Sequence, residues 1–290
     1  MLASSIIVVV GPTSSGKSAL AVRLARQFGG EIISADSRQI YRGLDIGSGK
    51  ITKREMRDIP HHLLDVASPR RQFTVAQYQK FARLAMQDII GRDKVPIICG
   101  GTGFYIDALL GRVTIPSVSP NAKLRRQLEK LNDHQLFQKL ERLDSERAKN
   151  IDRHNCRRLI RAIEVATVLN TRCLTICSPS VALWKCLKIG IWIEKGKLRQ
   201  NIQQRLLKRL KQGLISEVRQ LHQVTNLSWR RLDNLGLEYR FVARYLCGHL
   251  TKEQMIQELE TAIWHYAKRQ MTWWKRDKTI HWIKNYQEAE

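Results

Sequence analysis

The 290-residue sequence has no Cys-x-x-Cys pair, no apolar run of bilayer length and few acidic residues. Each shortage excludes something. The six cysteines are Cys99, Cys156, Cys173, Cys177, Cys186 and Cys247. None pairs at the spacing of a zinc ribbon or a thioredoxin-type motif, so reduced thiols are expected. The longest apolar runs are strand-length, far below the roughly 20 residues that span a bilayer, so no membrane segment is expected. "MLASS" passes directly into a strand-like run with no basic region or cleavage site, and no signal peptide is expected. A cytoplasmic protein fits these readings.

The shortage of acids says most about partners. Asp and Glu number 26 against 50 Lys and Arg, a formal charge of +24. The excess is uneven: residues 1–110 hold 15 basic and 9 acidic side chains (+6), and residues 111–290 hold 35 and 17 (+18). A basic excess of this size favours a polyanion bound through its phosphates, and argues for nucleic acid over an evenly solvated surface.

Periodicity gives the architecture. "SIIVVV", "EIISA" and "VPIIC" read as buried strands, and Ser18 to Phe28 and Phe73 to Ile90 as helices between them. Residues 42–72 are loop-rich. Continuous apolar strands alternating with helices imply a parallel sheet covered on both faces. From Gly111 the texture changes. "IPSVSPN" resembles a linker, and residues 121–169 are helical in pattern and rich in Leu, Arg and Lys. "NTRCLTICSPS" is irregular, with Asn170 suited to end the preceding helix. "KIGIWIE" then reads as a strand returning to the sheet, followed by one long basic helix from Leu198 to His222. The expected fold is α/β: a P-loop parallel-sheet core over residues 1–116 and 187–290, interrupted by a helical insertion over 117–186.

The chemistry begins at "GPTSSGKS", Gly11-Pro12-Thr13-Ser14-Ser15-Gly16-Lys17-Ser18. It matches G-x-x-x-x-G-K-[ST] with a strand before it and a helix after it, the context that gives the pattern its meaning. Glycines let successive amides face one concavity, the helix N-terminus adds partial positive charge, and Lys17 adds a full one. The Ser18 hydroxyl is the expected ligand of a magnesium ion. Such a loop specifies a polyphosphate and leaves its chemistry open among a nucleotide hydrolase, a small-molecule kinase and a transferase with a diphosphate leaving group.

Neighbouring strand ends narrow the choice. No apolar run ends in the carboxylate pair of a Walker-B strand, which argues against an ordinary ATPase. "EIISADSRQIY" instead puts Asp36 at the carboxyl edge of the sheet, where ligands of open parallel sheets bind and where a carboxylate can take a proton from an attacking acceptor. "CGGTGFY" ends the third strand at the same edge and offers the Thr102 hydroxyl. His61 and His62 in "IPHHLLD" suit a surface or packing role at least as well as a ligand contact. Trp273 and Trp274, at helical spacing, are assigned to packing rather than to base stacking.

"GPTSSGKSALA", "EIISADSRQIYRGLDIGSGK", "DIPHHLLDV", "GGTGFYIDALL", "RRLIRAIEV" and "YAKRQMTWWKRD" follow one another in the order and spacing of tRNA dimethylallyltransferases, and over about residues 6–282 the sequence resembles that family in its bacterial form. The resemblance implies transfer of a dimethylallyl group from dimethylallyl diphosphate to the exocyclic amine of the adenosine 3′ of a tRNA anticodon, with magnesium as cofactor. It makes Asp36 the general base and Thr102 a contact to the acceptor adenosine. It assigns Asp36, Ser37, Arg38 and Gln39 to the tRNA surface, with Arg157, Arg158, Leu159, Ile160 and Arg161 of the insertion. Lys123 stands where many members have an RNA-proximal arginine, and Arg205 matches an arginine near the diphosphate. A monomer meeting the anticodon stem-loop is expected. The sequence departs from the family at "NLGLEYRF", from which no site residue is assigned, at "RHN" before the Arg-rich helix, and at Asn201, where an arginine is frequent. An adenylate prenyltransferase and a P-loop kinase are the alternatives; "ADSRQ" and the basic insertion favour tRNA.

Overall fold

Every residue of Ile6–Val10 is buried, which requires protein on both faces of this strand. A computed structural model describes residues 6–169 and 185–284 and supplies both covers. It divides into two units, residues 1–110 with 183–290, and Gly111–Ala182.

The first unit is built on β1 (Ile6–Val10), β2 (Gly30–Ser34), β3 (His61–His62), β4 (Val95–Cys99), β5 (Cys186–Ile191) and β6 (Ile280–Ile283). They form one sheet in the order β3-β2-β4-β1-β5-β6, with every pairing parallel. Between them run α1 (Lys17–Gln27), the single turn α2 (Lys53–Met56), α3 (Val75–Gly91) and α4 (Gly103–Leu109). Side chains alternate across a strand. Ile6, Val8 and Val10 therefore enter one core with Ile33, Ile98 and residues of α3 and α4, while Ile7 and Val9 enter the other with Ile32, Ile97, Leu20 and Leu24. α3 starts at a capping box in which Thr74 and Gln77 satisfy each other's backbone N–H.

α9 (Lys195–Lys211), α10 (Leu214–Gln223), α11 (Trp229–Leu235), α12 (Leu237–Leu246) and α13 (Lys252–Trp274) complete this unit. The single helix expected from Leu198 to His222 is instead two. Gly213 adopts φ 100°, a left-handed conformation that ends α9 and opens α10. The apolar period runs through the break, so periodicity alone does not reveal it.

The second unit carries α5 (Ala122–Leu128), α6 (Asp133–Leu143), α7 (Ser145–Lys149) and α8 (Cys156–Leu169). Leu128, Leu136, Phe137, Leu140 and Ala148 pack against Leu159, Ile160 and Ile163 of α8. Its bounds, 111–182, stand beside the expected 117–186. "NTRCLTICSPS", with Asn170, Cys173 and Cys177, lies outside the described residues. Cys99, Cys156, Cys186 and Cys247 are free thiols.

Candidate active site

Strand order decides what meets at the sheet's carboxyl edge. β4 lies between β2 and β1, all three parallel, so the segments leaving them emerge side by side. These segments are the loop after β1, Asp36 after β2, and the Gly100–Thr102 turn after β4. A cavity of about 810 Å³ opens there, lined among others by Ser15, Lys17, Asp36, Gly100, Arg205 and Gln270.

The loop after β1 wraps into the start of α1. Gly16, the residue before the helix, has φ 86°, and Ser14 is also left-handed at φ 61°. These turns curl Thr13 to Ser18 into the cavity wall, while Gly11 and Pro12 lie buried behind it. The Lys17 ammonium donates to Pro12 O at 2.6 Å. Burial lowers its pKa to about 8; Cys99 and Asp36 oppose the shift and Arg205 adds to it. Burial likewise lowers Arg205 to about 10, with help from Arg209. Two half-buried cations beside a loop that opens a helix make a site that gains strongly from an anion.

Asp36 Oδ1 accepts from Arg38 N–H at 2.8 Å and Gln39 N–H at 3.3 Å, which fixes the carboxylate against its own turn. Ser37 N–H donates to Thr102 Oγ1 at 3.1 Å. Ala35 and the β4 turn are tied twice, Ala35 N–H to Cys99 O at 2.8 Å and Thr102 N–H to Ala35 O at 3.1 Å. Gly100 is required for this approach: a Cβ there would stand 2.2 Å from Ala35 O. Tyr266, whose phenol burial pushes well above its usual range, stands beside the same turn, its hydroxyl 3.8 Å from a Cβ placed on Gly101. The Arg38 guanidinium is held by Leu235 O and Ser37 O, and Gln39 Nε2 donates to Gly49 O at 3.2 Å.

Several residues that build this site carried no expectation from sequence. Gln270 bonds both Thr13 and Gly101. Asn201 donates to Ser14 O at 3.3 Å from the position where an arginine is frequent. Glu217 accepts from the N–H groups of Asp45, Ile46 and Gly47 and from the Tyr239 hydroxyl. Arg209 pairs with Glu238 beside Gly49, where a Cβ would stand 1.7 Å from Arg209 Nη2. Glu238 and Tyr239 belong to "NLGLEYRF", so this departing segment supports the loop that Arg205 touches through Gly49 O at 3.4 Å. A buried acid on an otherwise apolar helix stripe was the available signal.

Other expectations fall elsewhere. His62 bonds Glu31 and His61 bonds Ile59 O, both packing roles. Trp274 is buried, and Trp273 donates to Asp107 Oδ2 at 3.0 Å. In the second unit, Lys123, Arg157 and Arg158 are exposed. Leu159 and Ile160, apolar residues on the inner face of α8, are buried in that unit's core and not on its surface, so the surface role expected of their side chains is corrected to packing. Arg161 is engaged by Glu164 and Val118 O.

The family model for IPP transferase matches residues 39–277. A tRNA dimethylallyltransferase of Geotalea uraniireducens is 42% identical over 286 residues, covering 97% of this chain and 93% of that protein. The chain belongs to the IPP transferase family. A tRNA isopentenylpyrophosphate transferase of Bacillus halodurans superposes with TM-score 0.73 at 31% identity, over 99% of this chain and 93% of that one. A eukaryotic dimethylallyltransferase acting on tRNA shares the fold at TM-score 0.77 and 23% identity, over 97% of this chain and 74% of that one. The α/β P-loop-type fold and the transferase reading of the sequence agree with these relatives of the IPP transferase family. Among the described residues no helix is long and apolar enough to cross a membrane.

Proposed function

We propose that this IPP transferase family member moves a dimethylallyl group from dimethylallyl diphosphate onto the exocyclic amine of the adenosine 3′ of a tRNA anticodon, releasing pyrophosphate. The observation that carries the reading is the meeting of an anion-binding loop and a fixed carboxylate in one cavity. An adenine amine is a weak nucleophile because its lone pair is delocalised into the ring. It attacks the donor's first carbon as the carbon–oxygen bond to diphosphate breaks. Asp36 accepts the hydrogen bond, and then the proton, of the nitrogen on which positive charge develops. Negative charge accumulates on the departing oxygens, which the loop amides, Lys17 and Arg205 stabilise.

Ser18 is exposed at the cavity wall, in the first turn of α1. A single hydroxyl suits magnesium, which takes few protein oxygens and completes its shell with phosphates and water. Bound there, the ion would neutralise diphosphate charge as the leaving group departs.

The tRNA is assigned to the basic surface that includes Lys123, Arg157 and Arg158 of the second unit, in a cytoplasmic, monomeric enzyme. Incubation with radiolabelled dimethylallyl diphosphate and unmodified tRNA tests the reading. Label on the RNA with release of pyrophosphate supports it. Label on free AMP alone, or phosphate transfer from ATP in place of prenyl transfer, overturns it.

A further inference from the structure

Helix α13 places a polar residue on its packing stripe. Met255, Leu259, Ile263, Ala267 and Trp274 are buried along one face, and Gln270 lies among them at 5% exposure. A buried carboxamide needs partners, and Gln270 finds them in two different loops. Its Oε1 accepts from Thr13 N–H at 2.7 Å, and its Nε2 donates to Gly101 O at 2.9 Å. Thr13 belongs to the anion-binding loop. Gly101 directly precedes Thr102.

We propose that Gln270 is a positioning residue whose single carboxamide sets the distance between the loop that holds the leaving group and the turn that faces the acceptor. This rests on the transferase reading above. The contact is close-fitting on the turn's side, since a Cβ on Gly101 would stand 2.1 Å from Gln270 Nε2. Neighbours on the same face of α13 extend the grip. Tyr266, one turn earlier, stands against the turn, its hydroxyl 3.8 Å from a Cβ placed on Gly101. Trp273, three residues later, covers Gly103, where a Cβ would stand 2.3 Å from its ring, and donates to Asp107. Residues 266, 270 and 273 share a helix face, so α13 acts as a rigid template for the turn, and Gln270 alone reaches across to the donor loop. In a displacement with no covalent intermediate, the distance between nucleophile and leaving group is set only by such supports. A misplacement of about 1 Å is enough to cost on the order of 100-fold in rate.

The chemistry of the bridge is specific. It needs an acceptor toward Thr13 N–H and a donor toward Gly101 O. Methionine has the length and neither function. An ionised glutamate accepts from Thr13 but turns a second oxygen toward Gly101 O. A protonated glutamate restores both.

Q270M and Q270E, assayed with saturating labelled dimethylallyl diphosphate and tRNA, test the proposal. For Q270M the expected result is a kcat lowered about 30–100-fold, with tRNA Kd near that of the unaltered enzyme and a thermal midpoint that falls, because Thr13 N–H and Gly101 O lose their partner, but stays above the assay temperature. For Q270E, kcat relative to the unaltered enzyme should rise as pH falls from about 8 to 5, as the new carboxyl protonates. Lys17, Asp36, Cys99, Arg205 and Tyr266 line the same cavity in both proteins, so the unaltered enzyme at each pH is the reference. A Q270M kcat within about threefold of normal, or a Q270E ratio flat with pH, overturns the proposal. If Q270M does not fold, the Q270E ratio decides. An unaltered protein that transfers no prenyl group would overturn the transferase reading itself, before any variant is compared.

Discussion

Ser37 N–H donates to Thr102 Oγ1 at 3.1 Å, joining the segment after β2 to the turn after β4. The bond holds Asp36 and Thr102, which follow two strands far apart in sequence, side by side at the sheet's carboxyl edge. The carboxylate is fixed from the other side by Arg38 and Gln39 N–H. Its position therefore belongs to the fold and not to a flexible side chain.

Asp36→Asn keeps those backbone hydrogen bonds through its amide oxygen and removes the base. Loss of a general base costs about 10²–10⁴-fold. Single-turnover transfer should slow within that range while tRNA affinity stays near normal. Turnover within a few-fold of the unaltered enzyme would remove Asp36 from the role.

Gly100→Ala tests the approach of the two strand ends. The new methyl would meet backbone at Ala35 and force the segments apart. Overpacking of this kind costs about 1–3 kcal/mol. Chemical denaturation should show that loss, with a fall in kcat larger than any change in tRNA Kd. An unchanged denaturation midpoint would mean the edge is not held as described.

Lys17 gives a pH signature. Burial brings it to about 8, so the free enzyme loses this charge as pH rises through that value. Bound diphosphate favours the protonated form, so donor binding above about pH 8 should take up a proton. The measured kcat/KM for the donor should decline above about 8, while kcat, which reports the bound complex, holds to higher pH. Lys17→Met should lower kcat/KM and abolish the inflection. An inflection that survives the substitution would belong to another group.

Much of this was legible in the sequence, and for physical reasons. The runs at Ile6–Val10 and Val95–Cys99 are apolar throughout because both faces of their sheet are covered, and the P-loop pattern carries its own context. Asp36 and Thr102 follow from strand ends. What escaped are residues whose importance lies in a partner far along the chain. Gln270 acts on Thr13, 257 residues away, and Glu217 on Asp45, 172 away. Gly213 broke a helix whose apolar stripe continued across it. Leu159 and Ile160 sat inside an arginine-rich motif but at helix positions that face inward.

Glu164 supplies a test of the second unit. It is fully buried and accepts from Asn121 N–H and Arg125, with Arg161 at 3.3 Å. Burial pushes its carboxyl up, but Arg125, Asn121 N–H and Arg161 outweigh it and hold the pKa below the usual range. A lowered folded pKa contributes stability above the unfolded value and loses it as pH falls through the folded one. Glu164→Ala leaves Arg125 without its partner; because that arginine is about one-third exposed, the loss should be about 2–4 kcal/mol. Hydrogen exchange should report it in α5 and α8 and leave the sheet unaffected. Equal loss in the sheet would contradict the division into two units.

The central claim is prenyl transfer to one adenosine of tRNA, and paired anticodon stem-loops test it most directly. The two RNAs differ only in carrying A or G 3′ of the anticodon, and each is incubated with radiolabelled dimethylallyl diphosphate and magnesium before nucleoside analysis. The account predicts label on that adenosine, none on the G-containing RNA, and pyrophosphate released in equal amount. Label on both RNAs, or on neither while AMP is modified, would contradict it.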